Sequence, residues 1–523
     1  MRTVVLSGFM ATGKSTVGPI VAARLGLPFI DTDSVLARES GRSVPDLWRT
    51  EGEAAFRARE AALILRLLAD DRPQVVAFGG GSVTIRQVRH MALDRALVVT
   101  LTASPETLVG RIDDLADRPN LAGPDPVTRA RFLLEQRSDA YAECHLALST
   151  DDLDPESAAD AIVALVGRAP LAVALGARSY VVDTCRAEPT RLTDAVAALA
   201  PSSVVLVSDS NVQRARGSVI ESALAPLALP GVRVTLPAGE RHKTLASVAT
   251  IWDAALGAGV DRDALVVAAG GGVVGDLAGF AASALLRGVR VLQVPTSLLA
   301  MVDASVGGKT GFDHPTGKNL VGSFHQPSGV VADLDHLTTL PLRERISGFA
   351  EIVKIAFTSD AVLLGDLERD AEALRSGDLD ALLPFVRGAI AAKARVVRDD
   401  ERESGARALL NLGHTIGHAI EAHGGYARYL HGEAVAIGTV VELRLAARLG
   451  LAPVDLSTRA SSLLTRLGLP TEVPSAELAA SWPYVGADKK RVGDSVRFPV
   501  VLSPGDARIE RVTLDALRRV ALG

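Results

Sequence analysis

The sequence predicts an α/β fold in three parts: a parallel-sheet domain over residues 1–168, a second α/β domain over 169–340, and a mainly α-helical domain over 341–523. Three observations predict it. A chain of 523 residues exceeds what one hydrophobic core ordinarily supports. Short apolar runs alternate with helical patterns through the first two parts, the βαβ signature of a parallel sheet covered by helices. From about residue 341 strand signals become scarce and long helical patterns take over.

In the first part TVVLSG (3–8) reads as a strand, followed by a helix from Lys14 to Leu25 and a second strand, LPFIDTD (27–33). QVVAFGGG (74–81) and ALVVTLTA (96–103) repeat the strand-then-loop pattern, and a last helix runs from Pro155 to Val166. GRAP (167–170) separates this unit from a new strand, LAVALGARSYVVD (171–183). The second part has strands at 202–209, 231–239, 264–272 and 289–296. The third carries helices over 407–424 and 432–450 and closes on a β-like stretch, DSVRFPVVLSPGDARIERV.

The net charge of -5 gives no electrostatic reason to expect nucleic acid or an anionic membrane as a partner. No uncharged apolar run approaches the roughly 18 residues of a membrane span, and the first residues read as a strand rather than a signal peptide. Two cysteines, Cys144 and Cys185, make no disulfide framework and no metal-binding spacing. A soluble cytoplasmic enzyme of small molecules fits these properties.

Residues 8–15, GFMATGKS, match G-x-x-x-x-G-K-[ST] between a strand and a helix. Glycines let the backbone curl so that N–H groups converge on phosphate oxygens at a helix N-terminus. Lys14 then reaches the β- and γ-phosphates, and Ser15 offers its hydroxyl to Mg²⁺. Asp31 and Asp33 end the second strand, at the sheet edge where ligands of open α/β sheets bind. Gly79, Gly80 and Gly81 allow close backbone approach, and Arg57, Arg118 and Arg137 suit an anionic acceptor and a charge-neutralising lid.

Together these residues resemble shikimate kinase over nearly all of 1–166, through GFMATGKS, DTD (31–33), SVPDLW with EGEAAFRARE (43–60), GGG (79–81) and RPNL (118–121). The resemblance implies ATP contacts from Gly8, Ala11, Thr12, Gly13, Lys14, Ser15 and Thr16, with Ser15 on Mg²⁺. It implies shikimate bound by Asp33, Arg57, Gly79–Gly81 and Arg137, with Asp33 acting on the accepting hydroxyl. Arg118 becomes the lid arginine, with Arg111 nearby. Arg137 is followed here by Ser138-Asp139-Ala140-Tyr141 where the family has a Pro-Leu-Tyr stretch.

In the second and third parts, Gly270, Gly272 and Gly275 form G-x-G-x-x-G after a strand. No acidic residue stands about 20 positions on, so a standard dinucleotide fingerprint is incomplete while backbone cradling of a pyrophosphate stays open. Four of ten histidines fall between 414 and 431. His414 and His418 are spaced i, i+4 on a predicted helix, and spacing alone pairs them as metal ligands. In VDASVGGKTGFDHPTGKNLVG (302–322), Lys309 and Lys318 each follow glycines, which holds backbone close to an anionic ligand.

These segments resemble 3-dehydroquinate synthase over essentially all of 171–523. The matching runs include PAGERHK (237–243), GGGVVGDLAGFAA (270–282), QVPTSLLAMVDASVGGKTG (293–311), GKNLVGSFHQP (317–327), SGFAEIVKIA (347–356), DERESGARALLNLGHTIGHAIE (400–421), HGEAVAIG (431–438) and DKK (488–490). The resemblance implies Zn²⁺ (or Co²⁺) on Glu351, His414 and His431, with His418 turned to substrate. It implies NAD⁺ against Asp209, Gly239, Glu240, Lys243, Gly272, Val273, Val274, Gly275, Asp276, Thr296, Ser297, Lys309, Lys318, Thr338 and Thr339. Substrate is then surrounded by Arg287, Asp303, Lys309, Lys318, Asn319, Lys354, Arg398, Asn411 and His418, with Lys489 and Lys490 at its phosphate end. Lys309, Lys354, His418 and Arg398 carry the catalytic work, and the enzyme is a homodimer through this half.

The expected whole is therefore a bifunctional enzyme of aromatic biosynthesis, phosphorylating shikimate at one site and converting a heptulosonate phosphate to 3-dehydroquinate at the other. Its rival is a P-loop kinase of another hydroxylated acceptor joined to a metal-dependent polyol dehydrogenase with net turnover of NAD. A non-catalytic pseudo-enzyme is disfavoured by intact Lys14, Asp33, Lys309, Glu351, His414 and His431.

Overall fold

A computed structural model describes residues 2–112, 119–121, 123–485, 491–492 and 494–522. The chain divides into two compact units, Met1–Val181 and Val182–Gly523. No helix among the described residues is long and apolar enough to cross a membrane.

In the first unit, β1 (Thr3–Gly8), β2 (Phe29–Asp31), β3 (Val75–Ala77), β4 (Ala96–Thr102) and β5 (Leu146–Ser149) form a parallel sheet in the order β2-β3-β1-β4-β5. Around it lie α1 (Lys14–Leu25), α2 (Thr32–Ser40), α3 (Val44–Ala69), α4 (Arg86–Arg95), α5 (Pro105–Gly110), α6 (Pro126–Ala142) and α7 (Pro155–Arg168). Val4, Val5 and Leu6 are fully buried, and their side chains alternate between two apolar clusters, as a sheet covered on both faces requires. With β1 central, the loop after β1, the end of β2 and the turn after β3 open at one sheet edge.

The second strand is shorter than the sequence predicts. It stops at Asp31, whose carboxylate caps α2 by accepting the Ser34 N–H at 3.1 Å. Asp33 consequently lies in the first turn of a helix and not at a strand end. The strand expected over 171–183 is two, β6 (Leu171–Val173) and β7 (Tyr180–Cys185), broken by a turn in which Gly176 takes φ +61°. Helix α7 ends at Arg168, and the first compact unit runs on to Val181.

The second unit contains β8 (Val204–Asp209), β9 (Gly231–Leu236), β10 (Leu265–Gly270) and β11 (Arg290–Pro295), with α8 (Arg191–Leu199), α9 (Ser210–Leu224), α10 (Leu245–Gly257) and α11 (Gly272–Ala284) between strands. β12 (Lys309–His314) and β13 (Gly317–Phe324) make an antiparallel hairpin, so the lysine-rich stretch is structured and no open loop. β14 (Gly329–Asp333) completes a seven-stranded sheet ordered β6-β7-β14-β11-β10-β8-β9.

A helical region follows: α12 (Leu342–Ser359), α13 (Ala361–Ser376), α14 (Leu379–Asp399), α15 (His414–His423), α16 (His431–Arg448), α17 (Asp455–Arg466) and α18 (Ser475–Val485). β15 (Arg491–Val492), β16 (Ser495–Ser503) and β17 (Asp506–Thr513) pair antiparallel before α19 (Leu514–Leu522). The helix expected over 407–424 starts only at His414. Gly413 adopts φ +81° as its N-cap, and Ala406–Asn411 form a 3₁₀ turn.

Candidate active sites

The first site is built on the loop between β1 and α1. Gly8 and Gly13 take φ +133° and +92°, conformations open to glycine, and Ala11 takes φ +62°. Lys14 is buried and folds its ammonium onto the loop, donating to the carbonyls of Gly8 (2.9 Å) and Phe9 (2.7 Å). Ser15 donates its hydroxyl to Asp31 at 2.7 Å, so the two residues suited to a Mg²⁺ shell already lie together. Thr12 and Thr16 sit in the same turn, and Arg111 reaches back to the Ala11 carbonyl at 3.5 Å.

The turn after β3 faces an arginine held in place from several sides. Arg57 donates to Glu60 at 2.6 Å and packs against the rings of Trp48 and Phe56. Glu60 is fully buried and also accepts from Ser82 at 2.7 Å. A Cβ at Gly81 would overlap the Arg57 guanidinium, and one at Gly79 would overlap Glu60 and crowd Asp33. At either position a side chain would have to displace the end of Glu60 or of Arg57, which bond one another. From α6, Arg137 lies over the Phe9 ring and donates to the Gly80 carbonyl at 3.3 Å, which also accepts from the Tyr141 hydroxyl. Asp33, Arg57, Arg137 and the Gly79–Gly81 turn are therefore brought to one place. Arg118, and likewise Lys489 and Lys490 of the second unit, lie outside the described residues.

The second site gathers side chains from α12, α15 and α16. Ligand atoms of Glu351, His414 and His431 lie within 4.8 Å of one another. Glu351 Oε1 is buried without a hydrogen-bond partner, 3.7 Å from His414 Nε2 and 3.6 Å from His431 Nε2. An orphaned carboxylate oxygen facing two imidazole nitrogens matches the donor set of a zinc-type cation with an open position. His431 Nδ1 meets Glu421 at 3.1 Å, the carboxylate–histidine contact that orients a metal ligand. Burial works against charging His431, but Glu421 and Glu351 outweigh it and raise its pKa to about 10. The i, i+4 pairing of His414 with His418 is not what the geometry selects around Glu351. His418 instead groups with Glu421 and His431, its ring 5.2 Å from that of His414.

Beside this cluster, Lys354 is buried and ion-paired with Glu351, and it lies 4.0 Å from Asp303. Asp303 receives a shorter contact, 2.5 Å, from Lys393 of α14. Burial would raise the Asp303 carboxyl, yet Lys393 and Lys354 hold it well below the usual range. Burial in turn lowers Lys393 to about 8. Lys309 pairs with Glu403, which also accepts from Asn411 at 2.5 Å. Arg398 pairs with Asp399 at 3.6 Å, whereas Arg407 donates to Gly307 just before Lys309. Lys393, Glu403 and Arg407 escaped the sequence reading. The available signal was a lysine flanked by alanines on a helix, since Lys393 interrupts an otherwise apolar face of α14.

The nucleotide side lies at the sheet edge. Gly272–Asp276 open α11 directly after β10, and the N-terminus of that helix is the end that favours an anion. Lys243 is buried between Asp276 (2.6 Å) and Asn319 (2.5 Å). Burial lowers its pKa, but Asp276 and Glu240 outweigh this and raise it. Lys318 bridges Glu240 at 3.2 Å and Glu421 at 3.7 Å, so the hairpin's lysine stands between the two groups of residues. Gly239 takes φ +105°, Thr296 and Ser297 follow β11, and Asp209 caps α9 with its carboxylate. Thr338 and Thr339 lie in the turn after β14, and Arg287 in a strained turn with φ +70°.

Residues 10–166 match the shikimate kinase family, 233–347 the 3-dehydroquinate synthase N-terminal family and 348–491 the 3-dehydroquinate synthase C-terminal family. Over 339 residues the chain is 44% identical to the 3-dehydroquinate synthase of Acidithiobacillus ferrooxidans (strain ATCC 53993 / BNL-5-31), covering 65% of this chain and 93% of that protein. The chain belongs to the 3-dehydroquinate synthase family. It carries a shikimate kinase domain ahead of the synthase, as the sequence resemblance implied. Among solved structures, the synthase part is similar to 2-epi-5-epi-valiolone synthase from Streptomyces hygroscopicus subsp. jinggangensis 5008 with NAD⁺ and Zn²⁺ bound, at 29% identity and a TM-score of 0.58 over 65% of this chain and 96% of that one. It is also similar to 2-deoxy-scyllo-inosose synthase complexed with carbaglucose-6-phosphate, NAD⁺ and Co²⁺, at 25% identity and a TM-score of 0.61 over 67% of this chain and 99% of that one.

Proposed function

We propose that the two sites perform ATP-dependent phosphorylation of shikimate to shikimate 3-phosphate, and NAD⁺- and zinc-dependent conversion of 3-deoxy-D-arabino-heptulosonate 7-phosphate to 3-dehydroquinate with phosphate release. For the first site, the packing of Gly79 and Gly81 against Glu60 and Arg57 carries the reading. It groups Asp33 and Arg57 about a backbone turn whose Gly80 carbonyl also meets Arg137, a set of side chains suited to a hydroxylated carboxylate. There Arg57 and Arg137 hold the carboxylate, and Asp33 orients the accepting hydroxyl and takes its proton. The loop N–H groups and Lys14 neutralise the phosphates of ATP, with Ser15 and Asp31 serving Mg²⁺, and the family resemblance gives Arg118 the lid role.

For the second site, the unpartnered Glu351 oxygen between two imidazoles carries the reading. Glu351, His414 and His431 would hold Zn²⁺ or Co²⁺, which supplies Lewis-acid polarisation of a substrate oxygen. Asp209, Gly239, Glu240, Lys243, Gly272–Asp276, Thr296, Ser297, Thr338 and Thr339 would hold NAD⁺, which supplies a recyclable hydride acceptor. Lys309, Lys318, Asn319, Lys354, Asn411, Arg287 and Arg398 orient the substrate's oxygens, joined by Lys393 and Arg407 because they touch Asp303 and the Gly307 turn. His418 moves protons to and from a substrate hydroxyl, and Lys489 and Lys490 receive the phosphate end. The family resemblance supports a cytoplasmic homodimer assembled through this half.

One experiment tests both readings. Full-length protein is assayed for ADP formation against a panel of hydroxylated acceptors, and for phosphate release from the heptulosonate phosphate with absorbance of NADH followed in parallel. Shikimate should be the preferred acceptor, and phosphate should appear without accumulating NADH. Preference for another acceptor overturns the first assignment, and stoichiometric NADH overturns the second in favour of a polyol dehydrogenase.

A further inference from the structure

The kinase-family match ends at residue 166, yet the first unit continues to Val181, and the added residues are packed into it. Ala174 is buried in the same apolar cluster as Tyr141, Cys144 and Val83, with Ala172 against it. After Ala174 the chain makes a tight turn, Leu175–Ser179. Gly176 takes φ +61°, and the Ser179 hydroxyl closes the turn by accepting from Leu175 N–H (2.9 Å) and donating to the Gly176 carbonyl (2.6 Å).

The turn's own N–H groups point at α6 and its C-terminal cap. Gly176 N–H donates to Glu143 and Ala177 N–H to Asp139, both at 3.0 Å. A Cβ at Gly176 would come to 3.0 Å from the Asp139 carboxylate, so the approach is close as well as polar. Glu143 is held a second time, by Arg89 at 2.5 Å, and Arg89 also donates to the Val83 carbonyl at 2.6 Å, just past the Gly79–Gly81 turn. Asp139 and Glu143 are four residues apart and share one side of the helix. Arg137 and Tyr141, each two residues earlier, are rotated by roughly 200° and lie on the other side. That other side is the one bonded to Gly80.

We propose that the Leu175–Ser179 turn is a positioning clamp for the kinase acceptor site, gripping Asp139 and Glu143 so that α6 is set where Arg137 and Tyr141 meet Gly80. The proposal rests on the reading of Arg137 and the Gly79–Gly81 turn as the shikimate pocket. Asp139 and Glu143 are positioning residues that reach the acceptor through the helix. Their loss acts on acceptor affinity and leaves the ATP loop, which α6 does not carry, unchanged.

The test uses full-length Asp139→Ala, Asp139→Asn and Ser179→Ala, with kinase kinetics against shikimate and ATP varied separately and synthase turnover as a folding reference. Losing one charge-assisted hydrogen bond should raise KM for shikimate about fivefold to tenfold in Asp139→Ala. Ser179→Ala should shift it in the same direction. KM for ATP and synthase turnover should stay within about twofold. Asp139→Asn keeps an oxygen for the Ala177 N–H and should restore most of the acceptor affinity. Unchanged shikimate KM in both alanine variants overturns the clamp, as does an equal rise in KM for ATP. Should Asp139→Ala misfold, Ser179→Ala decides alone. Failure of the underlying reading is distinguishable, because unaltered protein would then not phosphorylate shikimate.

Discussion

Glu351 divides its carboxylate between two tasks: one oxygen is ion-paired to buried Lys354, and the other faces His414 and His431 with no hydrogen bond. A glutamine there keeps the shape and removes the charge. Glu351→Gln should therefore abolish phosphate release at the synthase and leave the kinase intact; kinase loss at unchanged folding would contradict two separate sites. Glu421 touches the proposed metal only through His431. Glu421→Gln should weaken zinc binding about 10- to 100-fold, read by competition with a chromophoric chelator, and unaltered affinity would remove it from the metal's support. Lys14→Ala reverses the first pattern, since its ammonium bonds the nucleotide loop: kinase turnover should fall by at least about a hundredfold with synthase turnover preserved. At this scale the sequence was partly legible. GKS and the glycine motifs announce their chemistry because backbone curvature demands glycine. The metal set was invisible to spacing, since periodicity can pair His414 only with His418 on its own helix, whereas Glu351 arrives from α12 and His431 from α16.

Elements decide how those residues are held. α15 brings His414 in its first turn, and a fully buried carboxylate from α16 fixes that turn. Glu442 accepts the N–H groups of Gly413 (2.8 Å) and Ile416 (3.0 Å), pinning the helix start across two elements. Glu442→Ala should leave two buried donors unsatisfied and cost about 2–4 kcal/mol of stability, seen as a lower urea midpoint for synthase activity. A midpoint unchanged within error would mean water replaces the carboxylate. The same contact explains why apolar periodicity predicted a helix from residue 407. The pattern continues upstream, but Gly413 at φ +81° closes against Thr439 and Val435, where a Cβ has no room, and the helix begins afterwards. Alternating βαβ segments were readable because parallel strands bury both faces in continuous apolar runs. The β12–β13 hairpin was not, since its strands are glycine- and lysine-rich and largely exposed, so no alternation marks them.

Over the whole molecule, the two units share a liability to acid that neither active site explains. His145 in the first unit and His336 in the second are both buried, and each ring Nδ1 accepts a hydrogen bond, from the Val98 N–H at 3.0 Å and from Arg216 at 3.2 Å. Both rings are therefore held in the neutral form, with Nδ1 unprotonated. Burial lowers His145 to about 3, aided by Arg2, and lowers His336 to about 4, aided by Arg216. The sign follows from proton uptake. Above about pH 6.5 the rings are neutral folded or unfolded and stability is unaffected. As pH falls below about 6.5 the unfolded chain binds protons that the folded chain refuses, so stability is lost, by up to about 1.4 kcal/mol per pH unit for each histidine. The loss continues for each until its folded-state pKa is passed. Urea midpoints followed separately by kinase and synthase activity, after return to assay pH, should both decline between pH 6.5 and 5, by the equivalent of roughly 2 kcal/mol each. His145→Gln should flatten the decline for the kinase and leave that of the synthase in place, because the two rings lie in different units. Midpoints constant over that interval, or a single decline that the His145 substitution moves for both activities, would refute the assignment of acid sensitivity to these two buried rings.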